Sequence, residues 1–461
     1  MNPASSHAFD VAVIGGGPSG CAAAIAAARD GARTLLVESG YMLGGAGTLG
    51  LVPCWGPFSD RRRIISGGLA ERIGRRAVEA APYRTGGLDW QPVNHEELKR
   101  IYDELVTEAG VTVWFGSTLV GAECSGKRVQ HVTVARKKQL CAVSAGVFID
   151  CTGDGDLAAA AGAEILCGGD EYGEVQPATL CFVLANVDTG EFLRHPRPSL
   201  KELREVADRS RYPLLGDLHL VTFLVGPGLV GFNAGHLWAD HTRPENLDRA
   251  VIEGRRIAAE YCRAMREYFP AFREAFLCQT AGILGVRESR RIVGDYLLTI
   301  DDYLACRSFP DDIARNAYPI DIHTRQSEID SVLNGANVAM NRRRHYAPGE
   351  SHGIPYRCLT VKGFDNLLAA GRCISTDHEV QASIRIMPVC LTTGEAAGCA
   401  AAIAVQRHCG DAHAVNAAFL RSRLKSYGAC VDPLPLDGDF AFGGQGVSSL
   451  DPDRQGIDAG Y

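Results

Sequence analysis

Phe9-Asp10-Val11-Ala12-Val13-Ile14-Gly15-Gly16-Gly17-Pro18-Ser19-Gly20 carries an apolar strand into a glycine turn and out into the Ala-rich helical stretch 21–29. The spacing Gly15-x-Gly17-x-x-Gly20 between strand and helix aims backbone N–H groups and the positive end of the helix dipole above the turn, where a pyrophosphate fits. Gly15 allows the tight turn, Gly17 removes the Cβ that would hold phosphates off the main chain, and Gly20 lets helix and strand pack closely. Gly31 ends the helix, a second apolar strand follows at Thr34-Leu35-Leu36-Val37, and Glu38 stands at its tip, eighteen residues past Gly20. An acid at that distance accepts the hydroxyls of an adenosine ribose. Strand, turn, helix, strand and acid in register predict a dinucleotide site in an α/β domain of Rossmann type.

At 461 residues the chain exceeds one small core, and about two to three domains are expected. With 46% hydrophobic and 22% charged residues it reads as an ordinary globular protein. A net charge of −7 argues against nucleic acid or an anionic membrane as partner. Residues 1–7 show no leader pattern and apolar runs such as 21–28 and 399–405 are too short for a span, so a cytoplasmic protein is expected. The basic clusters 61–63, 136–138 and 342–344 are short and read as solvated. The sixteen cysteines are scattered without a C-x-x-C, which removes the usual zinc, iron–sulfur and thioredoxin-type patterns, and no metal site is expected. Most thiols lie among Ala and Val as packing residues; for Cys54, in the loop Pro53-Cys54-Trp55-Gly56, a reactive role stays open.

After Glu38 the glycine-dense stretch 39–50 requires close backbone approach and lies along the same ligand crevice. Asn94-His95-Glu96-Glu97 reads as the capped start of a helix that Gly110 ends, and β structure follows at 111–115, 118–120, 129–135 and 140–149. Phe148-Ile149-Asp150-Cys151-Thr152-Gly153-Asp154-Gly155-Asp156 returns to the nucleotide sheet; Asp156 is expected to cap the helix behind it and Asp154 to contact the nucleotide. Residues 163–356 change pattern, with strands at 179–187, 218–225 and 293–299 and a helix at 247–269, and are expected to form an inserted α+β substrate domain. Gly226-Pro227-Gly228-Leu229-Val230-Gly231 repeats the glycine spacing, but Phe232-Asn233-Ala234-Gly235-His236 starts no helix, so a hairpin turn and no second nucleotide site are expected. The sheet is re-entered at 363–372, and Pro388 opens a last Ala-rich helix. The expected division is 1–162 and 357–408 for the nucleotide domain, 163–356 for the insert, and 409–461 for a C-terminal helix and irregular tail.

This set of motifs resembles the FAD-dependent oxidoreductases of glutathione-reductase-like architecture. The stretches that carry the resemblance are 14–20, 44–48, 150–156, Gly285-Val286-Arg287-Glu288-Ser289-Arg290-Arg291-Ile292-Val293-Gly294, Tyr318-Pro319-Ile320-Asp321-Ile322-His323, Ile354-Pro355-Tyr356-Arg357 and 366–398. The resemblance implies FAD as cofactor, held by Gly15, Gly17, Pro18, Ser19, Gly20, Glu38, Ser39, Gly45, Ala46, Gly47, Thr48, Val120, Thr152, Gly153, Asp154, Gly371, Arg372, Ile386 and Met387. It departs from the pattern at Gly371-Arg372, where many flavoproteins carry Gly-Asp, so the usual aspartate contact to the ribityl chain is missing.

Flavin chemistry asks the protein for a proton acceptor and for cations that hold substrate charge. His378 and Arg385, expected on the loop before the last helix, and Arg357, just before the final strand, are the candidates: His378 to take a proton, Arg385 or Arg357 to bind substrate oxygens. The expected reaction is hydride transfer from a C–H of a small organic substrate, with an external electron acceptor; a reductase, a monooxygenase or a non-catalytic FAD protein are the alternatives. Arg287, Arg290 and Arg291, on a segment that reads as helix-like, are expected in internal ion pairs. Substrate, acceptor, direction of reaction and oligomeric state stay open.

Overall fold

The computed structural model describes residues 5–433 apart from 85, 170–174, 195–202, 204–205, 209, 216–218 and 324–344. Nearly all of the expected irregular tail and the cluster 342–344 lie outside the described residues. Ser5–Ile14 forms strand β1, and helix α1 (Pro18–Arg29) returns along it to β2 (Thr34–Val37). The two strands pair in parallel, Val11 opposite Thr34 and Ile14 opposite Val37, so both end at one edge with Glu38 just beyond it. Helices α2 (Leu69–Ala80) and α3 (His95–Glu108) precede β3 (Thr112–Trp114), which extends the parallel sheet past β2. The Asn94 side chain caps α3 by accepting the Glu97 N–H at 3.3 Å. An antiparallel meander follows: β4 (Ser117–Ser125), β5 (Arg128–Arg136) and β6 (Gln139–Asp150). β6 is long enough to serve two neighbours, running parallel to β1 along its length while its first half pairs with β5. Helix α4 (Asp156–Ala161) leaves its C-terminal end.

The insert opens with β7 (Ile165–Cys167) and builds its own antiparallel sheet from β8 (Phe182–Ala185), β9 (Leu220–Gly226), β10 (Leu229–Ala234) and, after helix α5 (Pro244–Tyr268), β11 (Phe276–Thr280), in the order β11-β8-β10-β9. Its core is aromatic: Phe182 stacks on Phe232 at 4.8 Å, and Tyr261 of α5 lies 5.9 Å from Phe182. The second glycine motif is the β9–β10 hairpin, as expected, with Gly228 at φ +65° in its turn. β12 (Arg290–Ile292) pairs with β7, so Arg290 and Arg291 stand on a strand and not on a helix. The strand expected at 293–299 is absent because Val293, Tyr296 and Leu298 donate in turn to Glu164, Arg357 and Ser375, three different segments, and no single neighbour offers a ladder. β13 (Asp312–Asn316) and β14 (His352–Pro355) form a further antiparallel pair.

The insert's own apolar core runs from Ala178 to Leu284 and recruits Leu51 and Cys54 from the first segment. Leu298, Tyr303, Ile313, Ile354 and Tyr356, expected within the insert, are buried instead with the nucleotide part. The chain then closes the sheet with β15 (Leu367–Ala369), parallel to the last residues of β6, and ends in α6 (His378–Ile384), α7 (Met387–Arg407) and α8 (Ala417–Ser426). α7 packs on α1 backbone to backbone: a Cβ on Gly394 or Gly398 would collide with the carbonyls of Ser19 and Ala23. By length and composition alone α7 is apolar enough to cross a membrane, contrary to the reading of short apolar runs, but nearly all of its apolar stretch is buried inside the protein, and here it is a core helix.

Candidate functional site

Each glycine of the first turn has a separate task in the structure. Gly15 sits at φ +101°, where a Cβ would stand 2.5 Å from the Cys151 carbonyl, and a Cβ on Gly20 would collide with the Gly15 carbonyl. A Cβ on Gly17 meets nothing within 4 Å. The turn therefore leaves open space directly over the start of α1, whose N-cap, Gly17, supplies no side-chain hydrogen bond and whose first turn contains Pro18. N–H groups uncapped by the protein and facing open space are what a pyrophosphate requires. Glu38 is buried at the tip of β2, its carboxylate accepting the Gly16 N–H at 2.7 Å and the Gly40 N–H at 2.6 Å, with the Ser39 hydroxyl at 3.3 Å. The acid is thus fixed beside the turn, where a ribose would follow a pyrophosphate. Residues and geometry fit the ADP end of FAD.

The remaining predicted cofactor contacts fall into two groups. Gly45, Ala46 and Gly47 form a short 3₁₀ turn drawn against the last helix: a Cβ on Gly45 would lie 3.0 Å from Gly17, and one on Gly47 3.0 Å from the Met387 sulfur. The buried His95 holds this turn from α3 through the Gly47 carbonyl at 3.0 Å. Gly371, at φ +86°, packs on Ser19. Ile386 is the N-cap of α7, again without a side-chain cap. In contrast, the Thr48 hydroxyl turns inward to the Leu43 carbonyl at 2.6 Å, and the Thr152 hydroxyl is locked between Asp150 at 2.7 Å and the Asp156 N–H at 2.9 Å. Val120 is 59% exposed on β4, three residues past Ser117, whose N–H donates to Glu38.

Asp156 does not cap α4. Asp150 does, from the end of β6: its carboxylate accepts the Thr152 N–H at 3.0 Å and the Ala158 N–H at 2.9 Å, because the strand end reaches back under the helix while Asp156 turns out to Arg290. Arg372, the departure from the family pattern, binds the Gly153 carbonyl at 2.9 Å and Asp154 at 2.6 Å, and Asp154 also takes the Ser289 hydroxyl at 2.5 Å. The thiols near this turn are packing residues; burial pushes Cys390 up to about 12.

A second region lies where the insert meets α6 and α7. His378 is the first residue of α6, a helix capped by Asp377, and not part of a loop. Its Nδ1 bonds Glu288 at 2.8 Å; Glu288 is fully buried and also takes Arg291 at 2.5 Å and the Gln176 N–H at 3.0 Å. Gln176 donates to Gln381 at 3.1 Å and accepts the His323 N–H at 3.4 Å. From there the network continues. His323 faces Asp321 at 3.6 Å, and Asp321 holds Tyr318 at 2.8 Å and Arg385 at 3.1 Å. Arg287 reaches the Pro177 carbonyl at 2.8 Å, Thr179 at 2.9 Å and His219 at 3.1 Å. His378 and Arg385 are therefore the two ends of one buried polar seam.

Arg357 is not brought to this seam. Its guanidinium is held by Asp311 at 2.9 and 3.1 Å and lies 4.9 Å over the Tyr296 ring, which accounts for its charge as a structural ion pair. Of the three arginines assigned to ion pairs, Arg290 and Arg291 pair with Asp156 and Glu288, whereas Arg287 stands in the seam. Glu288, Gln176, His219, His236 and Gln381 were invisible as a group in the sequence. The motif 318–323 was the available signal, since its Tyr, Asp and His all enter the network. Cys54 is buried in the core of the insert, beside Leu51.

A family model described as FAD dependent oxidoreductase matches residues 10–424. Among solved structures, the chain is similar to a geranylgeranyl bacteriochlorophyll reductase-like protein from Thermoplasma acidophilum, at 13% identity over 92% of this chain and 83% of that one, with a TM-score of 0.44. It is also similar to the anhydrotetracycline hydroxylase OxyS from Streptomyces rimosus, at 14% identity over 91% of this chain and 65% of that one, TM-score 0.44. A third likeness is to the myxobacterial chondrochloren halogenase CndH, at 13% identity, 91% and 79% coverage and a TM-score of 0.41.

Proposed function

Because the chain belongs to the FAD-dependent oxidoreductase family, we propose that it is a dehydrogenase acting on a C–H bond of a small organic substrate, on a glutathione-reductase-like form of the fold. The observation that carries this reading is the His378–Glu288 pair at 2.8 Å, one short helix ahead of the uncapped start of α7. Bound FAD would supply the two-electron acceptor, taking hydride at flavin N5. Gly15, Gly17, Gly20 and Glu38 would hold its ADP end, and the first turn of α7 would face the negative charge of the reduced ring.

With Nδ1–H donated to Glu288, His378 presents Nε2 to the substrate's hydroxyl or amine proton, and the carboxylate stabilises the imidazolium that results. Arg291 and the Gln176 N–H hold Glu288 in place from two sides. Arg385 spends Nη2 on Asp321, while its buried Nε has no hydrogen-bond partner among the described residues and is the donor offered to a substrate oxygen. Turnover then needs an external electron acceptor.

Anaerobic mixing of the yellow protein with a library of small alcohols, hydroxy acids, amines and sugars tests this reading. Bleaching of the flavin band by one compound class is expected. His378→Ala should slow that bleaching about 10²–10⁴-fold at unchanged FAD content. A wild-type rate in this variant removes His378 from the chemistry, and an oxygen-dependent hydroxylated product without anaerobic bleaching replaces the dehydrogenase by a monooxygenase.

A further inference from the structure

Three histidines meet in the middle of the seam from three distant parts of the chain. His219 comes just before β9, His236 just after β10, and His323 from the segment beyond β13. All three are buried, and one ring nitrogen from each lies within 4.8 Å of the others. His236 Nε2 and His323 Nδ1 are 2.8 Å apart, the His219 and His236 rings stack at 4.9 Å, and the His323 ring stands edge-on to both. We propose that His219, His236 and His323 bind one divalent first-row transition ion of the zinc class, with Asp321 as the outer partner of His323.

Two nitrogens on a tetrahedral ion with bonds of about 2.0–2.1 Å lie about 3.3 Å apart. The ion would thus take the place of the proton shared by His236 and His323, widening that pair by about half an ångström. On the other side of the His323 ring, Nε2 faces the Asp321 carboxylate at 3.6 Å, the arrangement in which a carboxylate fixes the tautomer and orientation of a metal-bound imidazole. Three imidazoles, with neither a thiolate nor a carboxylate directly on the ion, suit Zn²⁺, Co²⁺ or Fe²⁺ better than Mg²⁺ or Ca²⁺, and they leave a fourth position for water or a substrate oxygen.

Arg287 is the opposing influence. It donates to the His219 ring at 3.1 Å, and an ion there must displace that bond. The guanidinium keeps the Pro177 carbonyl, the Thr179 hydroxyl and Asn233 at 2.8, 2.9 and 3.3 Å, so the exchange leaves it hydrogen-bonded. Its charge beside a dication lowers affinity, and removing it should raise affinity.

The test uses the FAD-loaded full chain, stripped with chelator and dialysed. Elemental analysis after exposure to Zn²⁺ should show one ion per chain. Co²⁺ should give visible ligand-field bands that Zn²⁺ abolishes. His236→Gln and His323→Gln should each weaken Zn²⁺ binding at least about 100-fold, Asp321→Asn about 10–100-fold, and Arg287→Met should tighten it several-fold, with FAD content reporting that each variant is folded. Less than a tenth of an ion in the wild-type chain, Co²⁺ without ligand-field bands, or equal binding by wild type and both histidine variants would overturn the assignment. The wild-type measurements stand even if a variant fails to fold, and flavin reduction plays no part in any of them.

Discussion

The nucleotide turn and the polar seam are built in opposite ways. In the turn, six consecutive residues, 15–20, do the work with main chain, and side chains matter there mainly by being absent. In the seam, side chains do the work, and they arrive from segments near 176, 219, 236, 287, 321, 378 and 385. A site made of main chain is set by local conformation and tolerates no added atoms; a site made of side chains is set by how separate elements pack, and fails when one partner is left buried alone. Substitutions should separate the two.

Acidification gives the largest expected effect, and it acts on the assembled side. His352, on β14, is buried with Nδ1 on the Tyr346 hydroxyl at 2.9 Å, and burial, aided by Arg315, lowers its pKa from 6.5 to about 3. Between these values the unfolded chain takes up a proton that the folded chain refuses. Stability is therefore full above about pH 6.5 and falls as pH drops, by about 1.4 kcal/mol per pH unit from this one group. Urea unfolding across pH 4–7 should show stability falling with pH, and His352→Gln should lessen the slope by about 1.4 kcal/mol per pH unit, the remainder belonging to other buried histidines such as His95 and His241; an unchanged slope would place the acid sensitivity elsewhere.

Next in size is Gly20→Ala. Its Cβ collides with a backbone carbonyl that cannot move without opening the β1–α1 turn, so a loss of roughly 3 kcal/mol in unfolding free energy is expected. Gly17→Ala sharpens the contrast three residues away: its Cβ enters open space, so the FAD-free protein should stay within about 0.5 kcal/mol of wild type in urea while FAD binding is lost. Equal stability loss in both variants would mean that the space over Gly17 is not kept open for a ligand.

Glu38→Ala should weaken FAD binding by roughly 1.5–3 kcal/mol, the scale of charge-assisted hydrogen bonds, measured as the dissociation constant of the reconstituted protein. The smallest effect belongs to Arg357→Ala. Its partly exposed pair with Asp311 is worth at most about 1 kcal/mol of stability, and the rate of flavin reduction should stay within about twofold of wild type. A large loss of rate would return Arg357 to the substrate site.

The sequence by itself determined most of the nucleotide half, namely β1, α1, β2 and Glu38, the cap at Asn94 and the start of α7 at Pro388, and in the insert it determined the hairpin at Pro227-Gly228. Each of these is decided within a few residues by periodicity, by glycine or proline conformation, or by a side chain bonding its own backbone. Even there, one local rule lost to a longer reach, since Asp150 and not Asp156 satisfies the start of α4. Only the tertiary structure decided that Leu298, Tyr303, Ile313, Ile354 and Tyr356 are buried with the nucleotide part, that Arg357 serves Asp311, and that Arg287 and Glu288 join His378 and Arg385. It also brought together His219, His236 and His323, which no short spacing announces. Periodicity and turn chemistry are properties of neighbours along the chain, whereas a hydrogen bond between residues 90 positions apart, as between Glu288 and His378, exists only once separate elements have packed and taken both groups out of water.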